Sequence, residues 1–162
     1  MKDVAVLIED YKFNFRVCAL IENKNRYLLQ KSDSVDFYNM PGGRVHAGEN
    51  TFYAIKRELK EELDLDVKNP KLIKIAEEFF VFENKKYHEI DFVYYIKLKN
   101  NNILCKMNNF KNKDNEKEKM FWIHKKMLKN YKILPEFIYT IKNSKKTSHL
   151  VFDKINNFSC EK

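Results

Sequence analysis

A chain of 162 residues, 44% hydrophobic and 14% aromatic, is sized for one domain, 1–162, with a core large enough to fold alone. Its formal charge of +8 is uneven: residues 1–100 hold 17 Lys plus Arg against 17 Asp plus Glu, while residues 101–162 hold 14 against 6. Three cysteines without CxxC spacing argue against a disulfide framework and a zinc site, and the short apolar run Val4–Ile8, bounded by Asp3 and Glu9, fits neither a signal peptide nor a membrane span, so a cytoplasmic protein is expected.

The run VAVLI predicts a first short strand. FNFRVCALIE from Phe13 and RYLLQK from Arg26 flank the turn-like ENKN, which predicts two strands joined as a hairpin. Pro41-Gly42-Gly43 and Gly48 make the next segment a loop, and they include all three glycines of the chain. Asn50 or Thr51 then caps a predicted helix that runs to about Leu63. At about 100° per residue, Phe52, Ile55, Leu59 and Leu63 share its buried face, and Glu58, Glu61 and Glu62 border that face. Glu58 therefore faces Glu62 at i,i+4, a like-charge pair that costs about 0.2–0.5 kcal/mol in an isolated helix. A hard divalent cation would compensate it, because Mg²⁺ takes oxygen ligands and is commonly held by carboxylates together with substrate phosphates. Pairing to nearby Lys and Arg on a charged helix edge is the alternative.

Beyond the helix, KLIKIAEEFFVFE and YHEIDFVYYIKLK surround an ENKK turn and predict a long hairpin. NNILCKMNNFKNKDNEKEK reads as a mobile inserted loop, and KMFWIHKKML as a short strand. LPEFIYTIKN predicts a second helix with Pro135 in its first turn, and SHLVFDK a last strand. The expected fold is α/β (α+β), a mixed sheet with two helices packed on it.

Gly43, five residues, Glu49, seven residues, then Arg57-Glu58-Leu59-Lys60-Glu61-Glu62-Leu63-Asp64-Leu65 resembles the Nudix box, G-x5-E-x7-R-E-U-x-E-E-x-G-U with U aliphatic. Every defining position matches except the late glycine, replaced by Asp64. The resemblance implies an α/β/α sandwich with the catalytic loop-helix on one side of a mixed sheet. It also implies cleavage by water of a diphosphate linkage in a nucleoside diphosphate derivative, with Mg²⁺ or Mn²⁺. Carried over by position, Gly43 (through its carbonyl), Glu58, Glu61 and Glu62 look like metal ligands. Glu58 is favoured over Glu61 as acceptor of the water's proton. Arg57 is grouped with these two as catalytic, and with Glu49 it looks like the pair that holds loop to helix. Arg44 is a candidate for a substrate phosphate. Tyr38 and Phe37 are candidates for stacking on a base, with core packing the alternative. His88 is a candidate for the cleft, although a single His at a strand start is more often structural. Glu116 or Glu118 stands where relatives take one more acidic residue from a later loop.

Two departures bear on the site. Asp64 must tolerate the left-handed turn that glycine would make, at about 1 kcal/mol. His46 stands where many relatives have another glutamate, which bears on metal preference. Three functions remain open in the sequence: a hydrolase of ADP-ribose, sugar-nucleotide, dinucleotide or nucleoside triphosphate type; an RNA 5′-end pyrophosphohydrolase, suggested by the basic last third; and a non-catalytic nucleotide-binding or regulatory domain. The first is favoured because no box glutamate is missing. A solvated lysine-rich surface is the alternative reading of the basic third. Monomer and homodimer both remain open.

Overall fold

The computed structural model describes residues 2–141 and 147–161. β1 (Ala5–Ile8), β2 (Tyr11–Asn23) and β3 (Arg26–Ser32) open the chain, and β4 (Gly42–Arg44) leads into α1 (Thr51–Leu63). β5 (Lys71–Phe82) and β6 (Lys85–Lys97) form the long hairpin. Their two-residue turn puts both Glu83 (φ 49°) and Asn84 (φ 60°) in the left-handed region, which matches the twist of the flanking strands. β7 (Asn109–Lys111), β8 (Glu118–His124), β9 (Ser148–Asp153) and β10 (Phe158–Glu161) complete one sheet, with spatial order β10-β9-β5-β6-β2-β3-β8-β7. β1 and β4 also pair with β2. The β2–β6 and β5–β9 pairs are parallel and the others antiparallel, so the sheet is mixed as expected.

Alternate residues of β2 serve opposite faces. Val17, Ala19 and Ile21 pack with Ile55, Leu59 and Leu63 of α1, whereas Cys18 and Leu20 pack with Leu128, Phe137 and Ile138 on the other face. α1 begins as predicted: the Asn50 side chain accepts from the Tyr53 N–H at 3.0 Å. It ends on Asp64 at φ 52°, and the Leu65 N–H donates to the Leu59 carbonyl at 3.0 Å. Lys60 and Lys113 hold the Asp64 carboxylate at 2.7 and 2.9 Å, which accommodates the missing glycine. Phe52, expected on the buried face, is instead partly exposed.

Two expectations need correction. LPEFIYTIKN does not form an α-helix within the described residues. It makes a 3₁₀ turn at Glu136–Thr140, and residues 142–143 lie outside the described residues. Phe137-Ile138-Tyr139-Thr140-Ile141 is an unbroken aromatic and β-branched run with poor helix propensity, and burying the adjacent Phe137 and Ile138 suits a short turn. The layer opposite α1 is therefore built of 3₁₀ turns, here and at Lys125–Asn130. Residues 101–119 are not simply a loop: they contain a 3₁₀ turn (Ile103–Lys106) and β7, and then cross to the C-terminal end of α1. Polar composition was misleading there, because Asn112 is buried and spends its hydrogen bonds inside the fold. Among the described residues no helix is long and apolar enough to cross a membrane.

Candidate active site

The Gly42–Arg44 strand lies antiparallel to β2, with Gly43 opposite Val17, and this pairing brings the glycine loop against α1. Gly42 has φ +136°, and a Cβ there would stand 2.2 Å from the Val17 carbonyl oxygen, so no side chain fits. Gly43 is needed for a different reason: its absent Cβ leaves the space taken by the Glu58 carboxylate, 2.5 Å away.

Arg57 ties the pieces together. Its Nε and Nη2 donate to the two oxygens of Glu49 at 3.0 and 2.9 Å, and Nη2 also donates to the Arg44 carbonyl at 3.0 Å. Its Nη1 donates to Glu58 Oε1 at 2.8 Å and to Glu61 Oε2 at 3.0 Å. The Arg57 guanidinium holds the Glu49 carboxyl below its usual range. Glu58 is pushed up by burial, against the pull of Arg57. Glu62, 6% exposed, is pushed up to about 8, first by burial and then by repulsion from Glu58. It accepts from the Gly42 N–H at 2.9 Å and from Asn112 Nδ2 at 3.1 Å.

These groups line an open cleft of about 590 Å³. Six carboxyl side chains reach it, Asp3, Glu58, Glu61, Glu62, Asp114 and Glu118, against three arginines, Arg16, Arg44 and Arg57. Among the described residues no three acidic, His or Cys side chains already converge as a metal cage, because Glu58 and Glu61 turn to Arg57, and Glu62 turns to Gly42 and Asn112. The donor set nevertheless fits a hard divalent cation. Its ligating atoms are oxygens, its carboxylates outnumber their cations, and the buried Gln30 Oε1, on the cleft wall, lacks a hydrogen-bond partner.

Arg16, Asn39 and Arg44 also line a second cavity of about 570 Å³, so the two spaces share a wall. This chamber has aromatic walls, among them Phe37, Phe80, Tyr87 and Phe152, and a polar floor on β2, β5 and β6.

Of the expected site residues, Gly43, Arg44, Arg57, Glu58, Glu61, Glu62 and Glu118 meet at the cleft. Three do not. Tyr38 packs edge-on against Phe121 and Tyr131 in the core. His88 faces the other side of the sheet from its neighbour Glu89, stacking on Phe79 and bonding Glu77 at 3.2 Å. Glu116 is exposed on the β7–β8 connection and does not line the cleft, whereas Glu118 is held there by Asn112 at 3.0 Å. The sequence reading missed Asn112, Gln30 and Asn39, and also Asn14, Arg16, Glu78 and Asp91 of the chamber floor, where Glu89, expected near the cleft beside His88, also lies. For those on strands the available signal was polar residues set among apolar ones; Asn39 and Asn112 lie outside the strands. His46, the second departure, pairs with Asp3 at 3.4 Å on the cleft wall.

The sequence profile of the NUDIX domain matches residues 11–141. The chain belongs to the Nudix family. The 8-oxo-dGTP diphosphatase of Buchnera aphidicola subsp. Schizaphis graminum (strain Sg) is 35% identical to this Nudix domain over 60 residues, which are 35% of this chain and 46% of that protein. The match thus spans about half the length of that relative. Among solved structures, the MutT protein of Bacillus halodurans is similar with a TM-score of 0.63 at 17% identity, covering 92% of this chain and 96% of its own. The MutT protein of Methanosarcina mazei Go1 gives 0.56 at 21% identity over 83% of this chain and 92% of its own. At such identities these likenesses establish a shared fold.

Proposed function

We propose that this Nudix domain hydrolyses the diphosphate linkage of a nucleoside diphosphate derivative or nucleoside triphosphate, with Mg²⁺ or Mn²⁺, in the cytoplasm. The carrying observation is the shared wall: a carboxylate-rich cleft opens beside an aromatic chamber through Arg16, Asn39 and Arg44. A phosphate chain with its cation suits the first space and a nucleoside the second. The class agrees with the name of the Buchnera relative, an 8-oxo-dGTP diphosphatase.

Glu58, Glu61, Glu62 and Glu118, with the Gly43 carbonyl, would hold the cation. That cation supplies neutralisation of the diphosphate charge and acidification of the attacking water. Arg44 and Arg16 face the same space and bind phosphate oxygens. Glu58 accepts the water's proton at Oε2, because Oε1 is engaged by Arg57, and its raised pKa strengthens it as a base. The water oxygen bonds to one phosphorus as the bridging P–O bond breaks, and the leaving phosphate takes the electron pair. Arg57 is a positioning residue here, since its donors fix Glu49, Glu58 and Glu61 together.

RNA 5′ ends are the less favoured substrate, since five lysines of the basic third, Lys113, Lys119, Lys125, Lys132 and Lys154, are each paired with a carboxylate. Phosphate or pyrophosphate release from a panel of nucleotide derivatives, with each metal, tests the proposal in wild type, Glu61→Gln and Glu62→Gln. Metal-dependent turnover of free nucleotides, lost in both variants, is expected. Nucleotide binding without any turnover would refute hydrolysis in favour of the non-catalytic domain.

A further inference from the structure

β1 presents an apolar strand edge to solvent. It pairs with β2 on one side, and among the described residues no strand lies on its other. Val6, Leu7 and Ile8 are 49, 76 and 58% exposed. A free edge is ordinarily protected by a lysine, a proline or a bulge, and Ala5–Ile8 has none of these. The apolar character also runs inward. Val6 stands opposite Phe13, Phe13 beside His88, and His88 opposite Phe79, which makes one row across four strands. Phe13 meets His88 edge-on with ring centroids 5.3 Å apart, and His88 stacks on Phe79 at 4.2 Å. Val6 is the uncovered end of that row.

The backbone fixes which groups the edge offers. The Val4 carbonyl accepts from the Phe15 N–H at 3.0 Å, so Val4 turns toward β2. Alternate residues of an antiparallel pair turn the same way, so Val6 and Ile8 also face β2, while Ala5 and Leu7 turn their N–H and C=O groups outward. A strand added antiparallel must set outward-turned residues opposite outward-turned residues.

We infer that β1 is a dimerisation edge, which pairs antiparallel with β1 of a second copy about a two-fold axis at Val6 and joins the two sheets into one. In that register Ala5 lies opposite Leu7 of the second copy and Leu7 opposite its Ala5, for four backbone hydrogen bonds. A two-fold axis at Leu7 would make only two, because Glu9 has already left the strand at φ 53°. Three features match the edge to itself. The paired positions carry no charge, so a second copy brings no like-charge contact. Val6 of the second copy extends the row that ends at Val6. Charge at the flanks is complementary: the register brings Lys2 of each copy to the acidic Glu9-Asp10 turn of the other, and Asp3 is already taken up by Arg44 and His46, each at 3.4 Å. So short a strand buries less than a standard interface, and the dimer therefore forms reversibly.

Sedimentation equilibrium of the full chain from about 5 to about 500 µM tests this and is expected to show monomer and dimer exchanging across that range. Val6→Lys sets two ammonium groups against each other at the axis and should raise the dimer dissociation constant at least about 5-fold. Its melting temperature at about 5 µM should match wild type, since Val6 is half exposed in the monomer. Lys2→Glu should weaken the dimer by about 2-fold or more. The register is read by oxidative cross-linking in a Cys105→Ser, Cys160→Ser background. Val6→Cys should link readily, because residues facing each other without hydrogen bonds have Cα atoms about 4.5 Å apart, within disulfide reach. Leu7→Cys should not link, because the two Leu7 positions are offset by about 6.8 Å along the strands as well as across them. A chain that stays monomeric at about 500 µM overturns the inference and leaves the edge to some other partner. So does a dimer that Val6→Lys leaves unchanged, or a Leu7→Cys that links as readily as Val6→Cys.

Discussion

Removing the Arg57 guanidinium should be among the most damaging single changes at the cleft. The side chain makes five hydrogen bonds to four residues, and two of its partners, Glu49 and Glu58, have side chains only 9% and 13% exposed. Arg57→Ala strands both charges with little access to water, at a cost of about 3–5 kcal/mol. In a chain of this length each kcal/mol lowers Tm by about 2–4 °C, so a fall of about 6–20 °C is expected. Arg57→Lys keeps the charge but cannot span Glu49 and Glu58 at once, so it should recover only part of the loss. Scanning calorimetry of Arg57→Ala, Glu49→Gln and the double variant should give a coupling of about 0.5–3 kcal/mol between the two sites. A Tm change below about 2 °C in Arg57→Ala, or strict additivity in the cycle, would refute the claim that this residue holds loop and helix together.

Gly43→Ala should leave the fold nearly intact while displacing the Glu58 carboxylate, because the new methyl meets that flexible side chain. Metal-dependent turnover should drop about 100-fold with little change in melting temperature, whereas Gly42→Ala, which collides with the Val17 backbone, should destabilise the protein outright. Asn112→Ala removes the donor shared by Glu62 and Glu118 at a site 2% exposed, so a loss of about 1–3 kcal/mol is expected, together with faster proteolysis between residues 107 and 117. Burial, with the neighbouring carboxylates, raises Asp91 from its ordinary 3.8 to about 6 and Glu78 well above its ordinary 4.5; Arg16 and Glu89 are the charged groups beside them. The folded state therefore holds more protons than the unfolded chain above about pH 4. Stability from this pair is present below that pH and is lost as pH rises through 6. Urea denaturation at pH 5 and pH 8 should show a smaller decline in Glu78→Gln than in wild type, and equal declines would contradict this assignment.

What could be read along the chain was whatever depends on near neighbours in sequence. The stretch from Gly43 to Leu65 was legible because a glycine loop and one helix position their own residues: the i,i+4 pair Glu58 and Glu62 and the Asn50 cap follow from 3.6 residues per turn alone. The long hairpin was legible for the same reason, since its turn and its alternation are local. His88 was misplaced because a one-residue shift moves a strand side chain to the other face, and residue type does not report that parity; Tyr38 and Glu116 lie in connections between strands, whose path near neighbours in sequence do not set. The second helix failed where the need to bury Phe137 and Ile138 together overrode a terminal proline signal. Only tertiary structure decided the rest. The parallel pairing of β2 with β6 joins residues about 75 apart, and it sets Asn14 and Arg16 beside Glu89 and Asp91. The chain between β7 and β8 carries Asn112 onto Glu62 across 50 positions. Such contacts are fixed by register and chain closure over long separations, for which no short stretch of sequence holds the information, and they build both the chamber floor and the closure of the cleft.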